Sequence, residues 1–224
     1  MQYDVIVNSL VGSSGIEPSY YAVSNCKRLA LANKETIVAA GEIILNKAKL
    51  NSCQVIPIDS EHGAILQCME NNPIKRVYIT ASGGPFWKFD KDELSKVSVE
   101  QALNHPNWKM GTKITIDSAN LINKGLEVIE ANCLFGFPYA QIDVLVQRES
   151  IIHALVERRD GFVIALLSKP DMKSVILHSL KSGGTFQIED CQINFNQLRS
   201  LHFDYPIPER FQGFYLSVEV GRLG

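Results

Sequence analysis

The regular exchange of short β-branched runs with stretches of helical spacing most limits what this chain can fold into. Val5-Ile6-Val7 ends in Val11-Gly12-Ser13-Ser14-Gly15 and gives way to a helical stretch from Pro18 to Cys26. Apolar residues recur from Leu29 to Ala32, helical spacing runs from Lys34 to Lys49, and Val55-Ile56-Pro57-Ile58 precedes a helix at Gly63 to Glu70. Val77-Tyr78-Ile79-Thr80 is a further strand, and Asp90 to Asn104 reads as a polar amphipathic helix. Alternation of this kind predicts an α/β fold with a largely parallel sheet.

The pattern changes after Pro138. Ile142 to Val146, Ile151 to Val156 and Phe162 to Leu167 are strand candidates, and Asp160-Gly161 between the last two is a hairpin signal. Helical spacing returns at Asp171 to Leu180, and the tail carries strand-like pieces at Gln192 to Phe195 and His202 to Phe203. Neither an internal repeat nor a low-complexity linker interrupts the chain.

Composition narrows the function. With 224 residues the chain makes one large domain or two small ones, and a formal net charge of −2 gives no field to hold a nucleic-acid backbone. Runs such as Ala39 to Leu45 fall short of the roughly 20 apolar residues of a membrane span. Met1-Gln2-Tyr3-Asp4 leads straight into a strand, so no targeting segment is expected. Cys26, Cys53, Cys68, Cys133 and Cys191 contain no C-x-x-C pair and read as packing residues in a reduced, cytoplasmic compartment.

The polar residues suggest a site. Asp59 and Glu61 stand two apart at a strand end, so an extended chain projects both carboxylates to one side. A third carboxylate, with Glu127 the candidate, would complete a hard-ligand set for Mg²⁺ or Mn²⁺. Its helix is expected to start at Asp117 or Ser118. Asn120, Asn123, Lys124 and Glu127 would then share a face toward a cleft, with Ile122, Leu126, Ile129 and Cys133 packed on the sheet. The same residues also describe a solvated helix face beside an acidic strand end.

Ser82, Ser118, Asn123 and Lys124 supply the hydroxyl, amide and ammonium donors a phosphorylated ketose needs, although the serines alone read as a turn residue and an N-cap. Asn33-Lys34-Glu35 lies where an open α/β sheet binds ligands, or is a plain polar helix start. His105 to Gly111 reads as a loop that could close over a site, or one whose Trp108 anchors it to the surface.

Four segments in order carry a resemblance: Pro57-Ile58-Asp59-Ser60-Glu61-His62, Ala81-Ser82-Gly83-Gly84-Pro85-Phe86, His105-Pro106-Asn107-Trp108-Lys109-Met110-Gly111, and the run from Asp117 to Glu127. Together they resemble the 1-deoxy-D-xylulose 5-phosphate reductoisomerases, NADPH-dependent enzymes of the non-mevalonate isoprenoid pathway, densely from Asp4 to about Val146 and more loosely after. The resemblance implies a partial Rossmann-like, NADPH-binding parallel-sheet domain at 1–54. An α+β catalytic, metal- and substrate-binding domain at 55–200 and the start of a C-terminal region at 201–224 would follow. It implies Asp59, Glu61 and Glu127 as ligands of Mg²⁺ or Mn²⁺, with Co²⁺ also open, and Glu127 at the substrate as well. Ser82, Ser118, Asn123 and Lys124 would hold the phosphate and adjacent hydroxyls, and Ser60 and Glu61 the other end of the sugar. Lys34 is matched to substrate, Asn33, Glu35 and Gly111 to NADPH, His105 to the phosphate and Trp108 to the cover over the substrate. Lys34, Glu61, His105 and Lys124 are the implied catalytic residues.

The implied reaction is reductive isomerisation to 2-C-methyl-D-erythritol 4-phosphate, with no nucleic-acid or membrane partner and homodimerisation left open. The implied location is the cytoplasm, or a plastid-type organelle in a eukaryote. Some features depart from the family. A glycine-rich phosphate turn after a first strand is missing, Gly12-Ser13-Ser14-Gly15 matches a later turn, and Gly224 falls where a helical domain would continue. The chain therefore reads as an internal segment. Gln147-Arg148-Glu149 stands for His-Pro-Gln, Asn120 for a threonine, and Gln212-Gly213-Phe214 for another family stretch. Reduced or lost activity is expected. One alternative is a non-catalytic remnant or binding module that keeps the sugar-phosphate site. Another is a metal-dependent isomerase or aldolase without nicotinamide, against which the match at Asn33-Lys34-Glu35 argues.

Overall fold

The computed structural model describes residues 2–69, 73–108, 110–181 and 191–224. Strand β1 (Tyr3–Asn8) passes through a short turn at Gly12–Gly15 into α1 (Ile16–Ala22), returns as β2 (Cys26–Leu31), and continues through α2 (Lys34–Leu50) to β3 (Gln54–Pro57). These strands form a parallel sheet in the order β1-β2-β3, with Val5 opposite Arg28 and Leu29 opposite Val55. The central strand buries Leu29, Ala30 and Leu31 consecutively, as a parallel strand covered on both faces does. The helical stretch expected to reach Cys26 stops at Ala22, because the Asn25 amide closes a turn on the Ala22 carbonyl and Cys26 opens β2.

Helix α3 (Ser60–Cys68) starts at Ser60 rather than Gly63, with Asp59 as its extended N-cap, and the expected last residue, Glu70, lies outside the described residues. After β4 (Ile74–Ala81), the single helix expected over Asp90 to Asn104 is two, α4 (Lys91–Leu94) and α5 (Val99–Leu103). Each opens on a capping box, Asp90 with Glu93 and Ser98 with Gln101. The second box offers the backbone a fresh start, which competes with continuation.

Next come α6 (Thr112–Ala119) and α7 (Ile122–Phe135), which correct a further expectation. Asp117 and Ser118 sit in the last turns of α6 instead of starting the Glu127 helix. Asn120 is exposed between the helices, and Leu121 takes a left-handed conformation (φ 61°). The Asn120 side-chain oxygen accepts the Ile122 amide at 3.0 Å, and Leu121 is buried in the main core. That burial offsets a backbone conformation unusual for leucine.

The second sheet adds β5 (Ile142–Val146), β6 (Ile152–Arg158) and β7 (Val163–Leu167) in the order β5-β4-β6-β7. β4 pairs parallel with β5 and antiparallel with β6, and β6 with β7 form the hairpin turned by Asp160-Gly161, where Gly161 has φ 92°. Helices α8 (Met172–Leu180) and α9 (Gln212–Leu223) follow. The strand-like tail pieces are not strands. Asn194 organises a turn by accepting the amides of Asn196 and Gln197, and near His202 only Asp204 bridges to Val146 before Pro206 and Pro208.

Helix α7 packs on three sides. Val128 and Ala131 join the core under β4 and β5, while Ile122 and Ile129, expected against the sheet, face α9. A Cβ at Gly213 would lie 2.9 Å from Ile122, and one at Gly221 2.5 Å from Ile129. Cys133 faces Gly41 of α2. This clamp fixes the α7 face that carries Asn123, Lys124 and Glu127. Among the described residues no helix is long and apolar enough to cross a membrane.

Candidate active site

Three carboxylates meet where β3 opens into α3 and α7 passes alongside. Asp59 caps α3, Glu61 sits in its first turn and Glu127 projects from α7; one oxygen from each lies within 4.8 Å of the others. The Asp59 and Glu61 pair therefore converges around a helix start, not along an extended strand. Two buried ammonium groups hold the cluster together. Lys34 Nζ donates to Asp59 Oδ2 at 2.7 Å, Asn123 Oδ1 at 2.7 Å and Glu127 Oε1 at 3.2 Å. Lys124 Nζ donates to Glu61 Oε1 and Glu127 Oε2, both at 2.6 Å. Asn123 Nδ2 donates to Glu127 Oε1 at 2.5 Å, and Ser60 Oγ to Glu61 Oε2 at 2.5 Å.

The electrostatics follow from burial. Glu127 is 1% exposed and Lys124 4%, so each charge survives only with its partners. Burial disfavours the Lys34 ammonium, but Asp59, Glu127 and Glu130 outweigh it and hold the group well above the usual lysine value. Lys124 is raised in the same way: burial opposes its charge, and Glu127, Glu61 and Asp59 prevail. Burial would raise Asp59, yet Lys34 and His62 keep it below the ordinary carboxylate range. Burial and the Glu127 charge push Glu61 up to about 8 despite Lys124.

The cluster lines one wall of a cavity of about 250 Å³. Ser60, Ser82, His105, Trp108 and Ser118 line it too, so every residue expected at metal or substrate borders the same space. Proton positions at the Ser82 end can be assigned. His105 Nδ1 faces the amides of Asn107 (3.2 Å) and Trp108 (2.9 Å), so it accepts, and the ring proton sits on Nε2, which donates to Ser82 Oγ at 2.9 Å. The Gly84 amide also donates to Ser82 Oγ, at 3.2 Å. With its oxygen accepting twice, the Ser82 hydroxyl proton remains to be donated elsewhere. Burial and the nearby Arg148 charge lower His105 from its ordinary value, which favours this neutral form. Gly83 (φ 81°) and Gly84 (φ 67°) make the turn, and a Cβ on Gly84 would lie 2.9 Å from the Ser118 carbonyl.

The residues matched to a cofactor divide. Glu35 and Gly111 line an adjoining cavity of about 230 Å³ that shares Ala32, Lys34, Ile114 and Asn123 with the first. Asn33, buried, lines neither. Its Nδ2 donates to the Leu10 and Gly12 carbonyls at 2.7 and 2.9 Å, and its Oδ1 accepts from the Thr36 amide and hydroxyl. The side chain thus caps α2 and ties down the loop after β1.

His62 and Glu130, which carry no role in the motifs, join the site as well. His62 is fully buried, with Nε2 3.0 Å from the Glu127 carbonyl and Nδ1 3.5 Å from Glu130 Oε2, and Asp59, His62 and Glu130 also offer ligand atoms within 4.8 Å of one another. Among the described residues neither His62 Nδ1 nor Glu130 Oε2 has a hydrogen-bond partner, and burial raises Glu130 to about 7. The spacing of Glu127 and Glu130 on one helix was the available signal. The apolar lining, Ile58, Met110, Ile114, Leu121 and Met172, was missed as well. Gln147, where the family has histidine, is fully buried and accepts the Ile151 amide at 2.8 Å, so it shapes the turn before β6.

Comparison with known proteins gives a consistent result. Residues 55–135 match the model of the 1-deoxy-D-xylulose 5-phosphate reductoisomerase C-terminal domain, and residues 1–41 that of 1-deoxy-D-xylulose 5-phosphate reductoisomerase. The reductoisomerase of Bacillus cereus (strain AH187) is 47% identical over 225 residues, and that of Clostridium tetani (strain Massachusetts / E88) 48% over 224. Each alignment takes in 99% of this chain, which spans 59% and 58% of those relatives. A crystal structure of DOX-P reductoisomerase in complex with NADPH, fosmidomycin and magnesium superposes with a TM-score of 0.95 at 40% identity, over 99% of this chain and 57% of that one. The Zymomonas mobilis enzyme in complex with NADPH gives 0.92 at 36% identity, over 100% and 59%. Because the two models between them match more than half of the residues, and the likeness in sequence and fold runs from end to end, the chain belongs to the 1-deoxy-D-xylulose 5-phosphate reductoisomerase family.

Proposed function

We propose that this chain carries the metal- and substrate-binding part of an enzyme that converts 1-deoxy-D-xylulose 5-phosphate to 2-C-methyl-D-erythritol 4-phosphate with NADPH and Mg²⁺ or Mn²⁺. The observation that carries the reading is one cavity walled by three carboxylates, two buried ammonium groups and the Ser82–His105 pair. Three carboxylates suit a hard divalent ion, and the lysines that now neutralise them are ready donors once an ion takes over that task. When bound, the ion would supply Lewis-acid charge and NADPH a hydride.

The chain's own residues do the rest. Asp59, Glu61 and Glu127 hold the ion, with Ser60 beside Glu61 at that end of the sugar. Lys34 and Lys124, kept protonated by their carboxylate neighbours, donate to oxygens that gain charge during the carbon-skeleton rearrangement. Glu61 also accepts from Lys124 and Ser60, so it would fix both beside the reacting sugar. Ser82, Ser118, Asn123 and Lys124 would hold the phosphate and adjacent hydroxyls with His105 close by, and Trp108 and Met110 would keep water out. Residues 1–54 would carry the NADPH side through Glu35, with Asn33 holding that loop and Gly111 joining from the second segment. Residues 55–200 would carry metal and substrate, and 201–224 begin a C-terminal region. Homodimerisation and a cytoplasmic setting rest on family likeness alone, and sedimentation tests the first.

A second reading, a sugar-phosphate binding module without turnover, is favoured by Asn33, whose amide is spent inside the protein. Calorimetric titration of the chain with 1-deoxy-D-xylulose 5-phosphate, with and without Mg²⁺, tests what both readings share. Binding that needs Mg²⁺ is expected; no binding at saturating Mg²⁺ refutes both. NADPH oxidation by the same sample then separates the two.

A further inference from the structure

We propose that Arg148 is a positioning residue for the anion end of the cavity: its guanidinium clamps the Ser82–Gly84 turn and sets a fixed positive charge behind the neutral donors that meet a phosphate. The inference rests on the sugar-phosphate reading above and deepens it. Arg148 Nη1 donates to the Ser82 carbonyl at 2.6 Å and to the Gly84 carbonyl at 3.0 Å, so one nitrogen bridges the turn that presents the Ser82 hydroxyl. Two adjacent glycines give that turn the widest backbone freedom a chain has, and nothing within a Gly-Gly pair restrains it. The guanidinium lies flush against it: a Cβ on Gly83 would sit 3.0 Å from Nη1. Through its own backbone Arg148 also reaches the loop opposite. Its carbonyl accepts the Asn107 side-chain amide at 2.8 Å, and Asn107 donates its backbone amide to His105. One residue thus joins both halves of the Ser82–His105 pair.

Charge gives the arrangement its purpose. Lys34 and Lys124 lie among Asp59, Glu61 and Glu127, so even where Lys124 reaches the phosphate its charge is shared with carboxylates. Ser82, His105 and Ser118 are neutral donors. A phosphate dianion resting on them needs a cation close behind, and Arg148 is placed to serve. The carboxylates acting on Arg148 are Asp204 and Glu149, and Glu149 is already held by His202 at 2.5 Å. Arginine suits this role better than lysine, because its planar, always-charged guanidinium lies flat on the glycine turn with Nη1 between the two carbonyls.

The test compares wild type, R148M and R148K by calorimetry, with three probes titrated separately: Mn²⁺ alone, inorganic phosphate, and 1-deoxy-D-xylulose 5-phosphate with Mg²⁺. R148M should lose about tenfold or more in affinity for both phosphate-bearing probes while binding Mn²⁺ as wild type does, and R148K should recover part of the loss. Equal affinities in wild type and R148M overturn the proposal. So does a loss shared equally with Mn²⁺, which is what an arginine that merely props up the fold would give. If R148M does not fold, R148K decides: the shorter side chain ends its compact ammonium short of the Nη1 position and loses the flat contact with the glycine turn, so about a threefold loss or more is expected and unchanged affinity overturns it. Arg148-dependent binding of inorganic phosphate without binding of the sugar phosphate would refute the substrate reading and keep this inference. Failure of wild type to bind either phosphate probe would refute both.

Discussion

Replacing Glu127 with glutamine should separate metal binding from folding. Removing the charge of the central carboxylate leaves each ammonium one carboxyl partner, Asp59 for Lys34 and Glu61 for Lys124. A glutamine oxygen in the Oε1 position still accepts from Lys34 and Asn123, while its amide nitrogen replaces Oε2 and gives up the 2.6 Å bond from Lys124. A buried hydrogen bond to a charged group contributes about 1.5 to 3 kcal/mol. Relief of carboxylate repulsion offsets part of that, since Lys124 keeps Glu61 at 2.6 Å, and a net loss of about 1 to 2 kcal/mol remains. For a chain of this length the melting temperature should then fall by roughly 2 to 8 °C. Divalent-ion affinity should fall by about 100-fold or more, because a charged ligand is lost outright. Thermal unfolding of the metal-free chain and calorimetric Mn²⁺ titration measure the two effects. An E127Q chain that melts near wild type and still binds Mn²⁺ with wild-type affinity would refute the assignment of Glu127 as a ligand.

Trp108 lines the cavity and packs edge-on to His153, so in a Trp87→Phe background its emission should change when Mg²⁺ and 1-deoxy-D-xylulose 5-phosphate bind; binding seen by calorimetry without that change makes the tryptophan structural only. Burial lowers His153 to about 4 from 6.5, so the unfolded chain takes up the proton first and stability should fall as pH drops from 6.5 toward 4. The loss should reach at most about 3 kcal/mol. Chemical denaturation across that window should show a slope that His153→Gln flattens, and an unchanged slope would contradict the assignment. Gly125→Ala places a Cβ 2.4 Å from Ser217 Cβ, forcing α7 from α9 at a cost of about 1 to 3 kcal/mol, partly relieved by Ser217→Gly; an unaltered melting temperature would contradict the close helix contact.

The sequence made local structure legible where side chains dictate it. The runs at Val5, Leu29, Val55 and Val77 became strands, and Asp160-Gly161 became the hairpin turn, because β-branched patterning and turn chemistry act over a few residues. The split into a parallel sheet and a mixed one agrees with the parallel-sheet and α+β domains that the resemblance implied, whereas the order β5-β4-β6-β7 was not legible, since it depends on long-range pairing. The capping boxes at Asp90 and Ser98 stood in the sequence, and reading through them produced one helix where there are two. Leu121 shows the opposite case: no local signal predicts a left-handed leucine, and core packing imposes it. At the site, the motif residues pointed to one cavity, but the route by which Asp59 and Glu61 meet depends on α3 starting three residues early. His62 and Glu130 escaped notice because their pairing exists only once α3 and α7 are packed.

The central claim is that Asp59, Glu61 and Glu127 form the ion site. Anomalous diffraction from crystals of this chain soaked in Mn²⁺ tests it most directly. One manganese peak is expected within about 2.0 to 2.6 Å of an oxygen from each of the three, with Lys34 or Lys124 displaced from the carboxylates it now neutralises. A peak instead among Asp59, His62 and Glu130, or no peak with both lysines still in place, would contradict it.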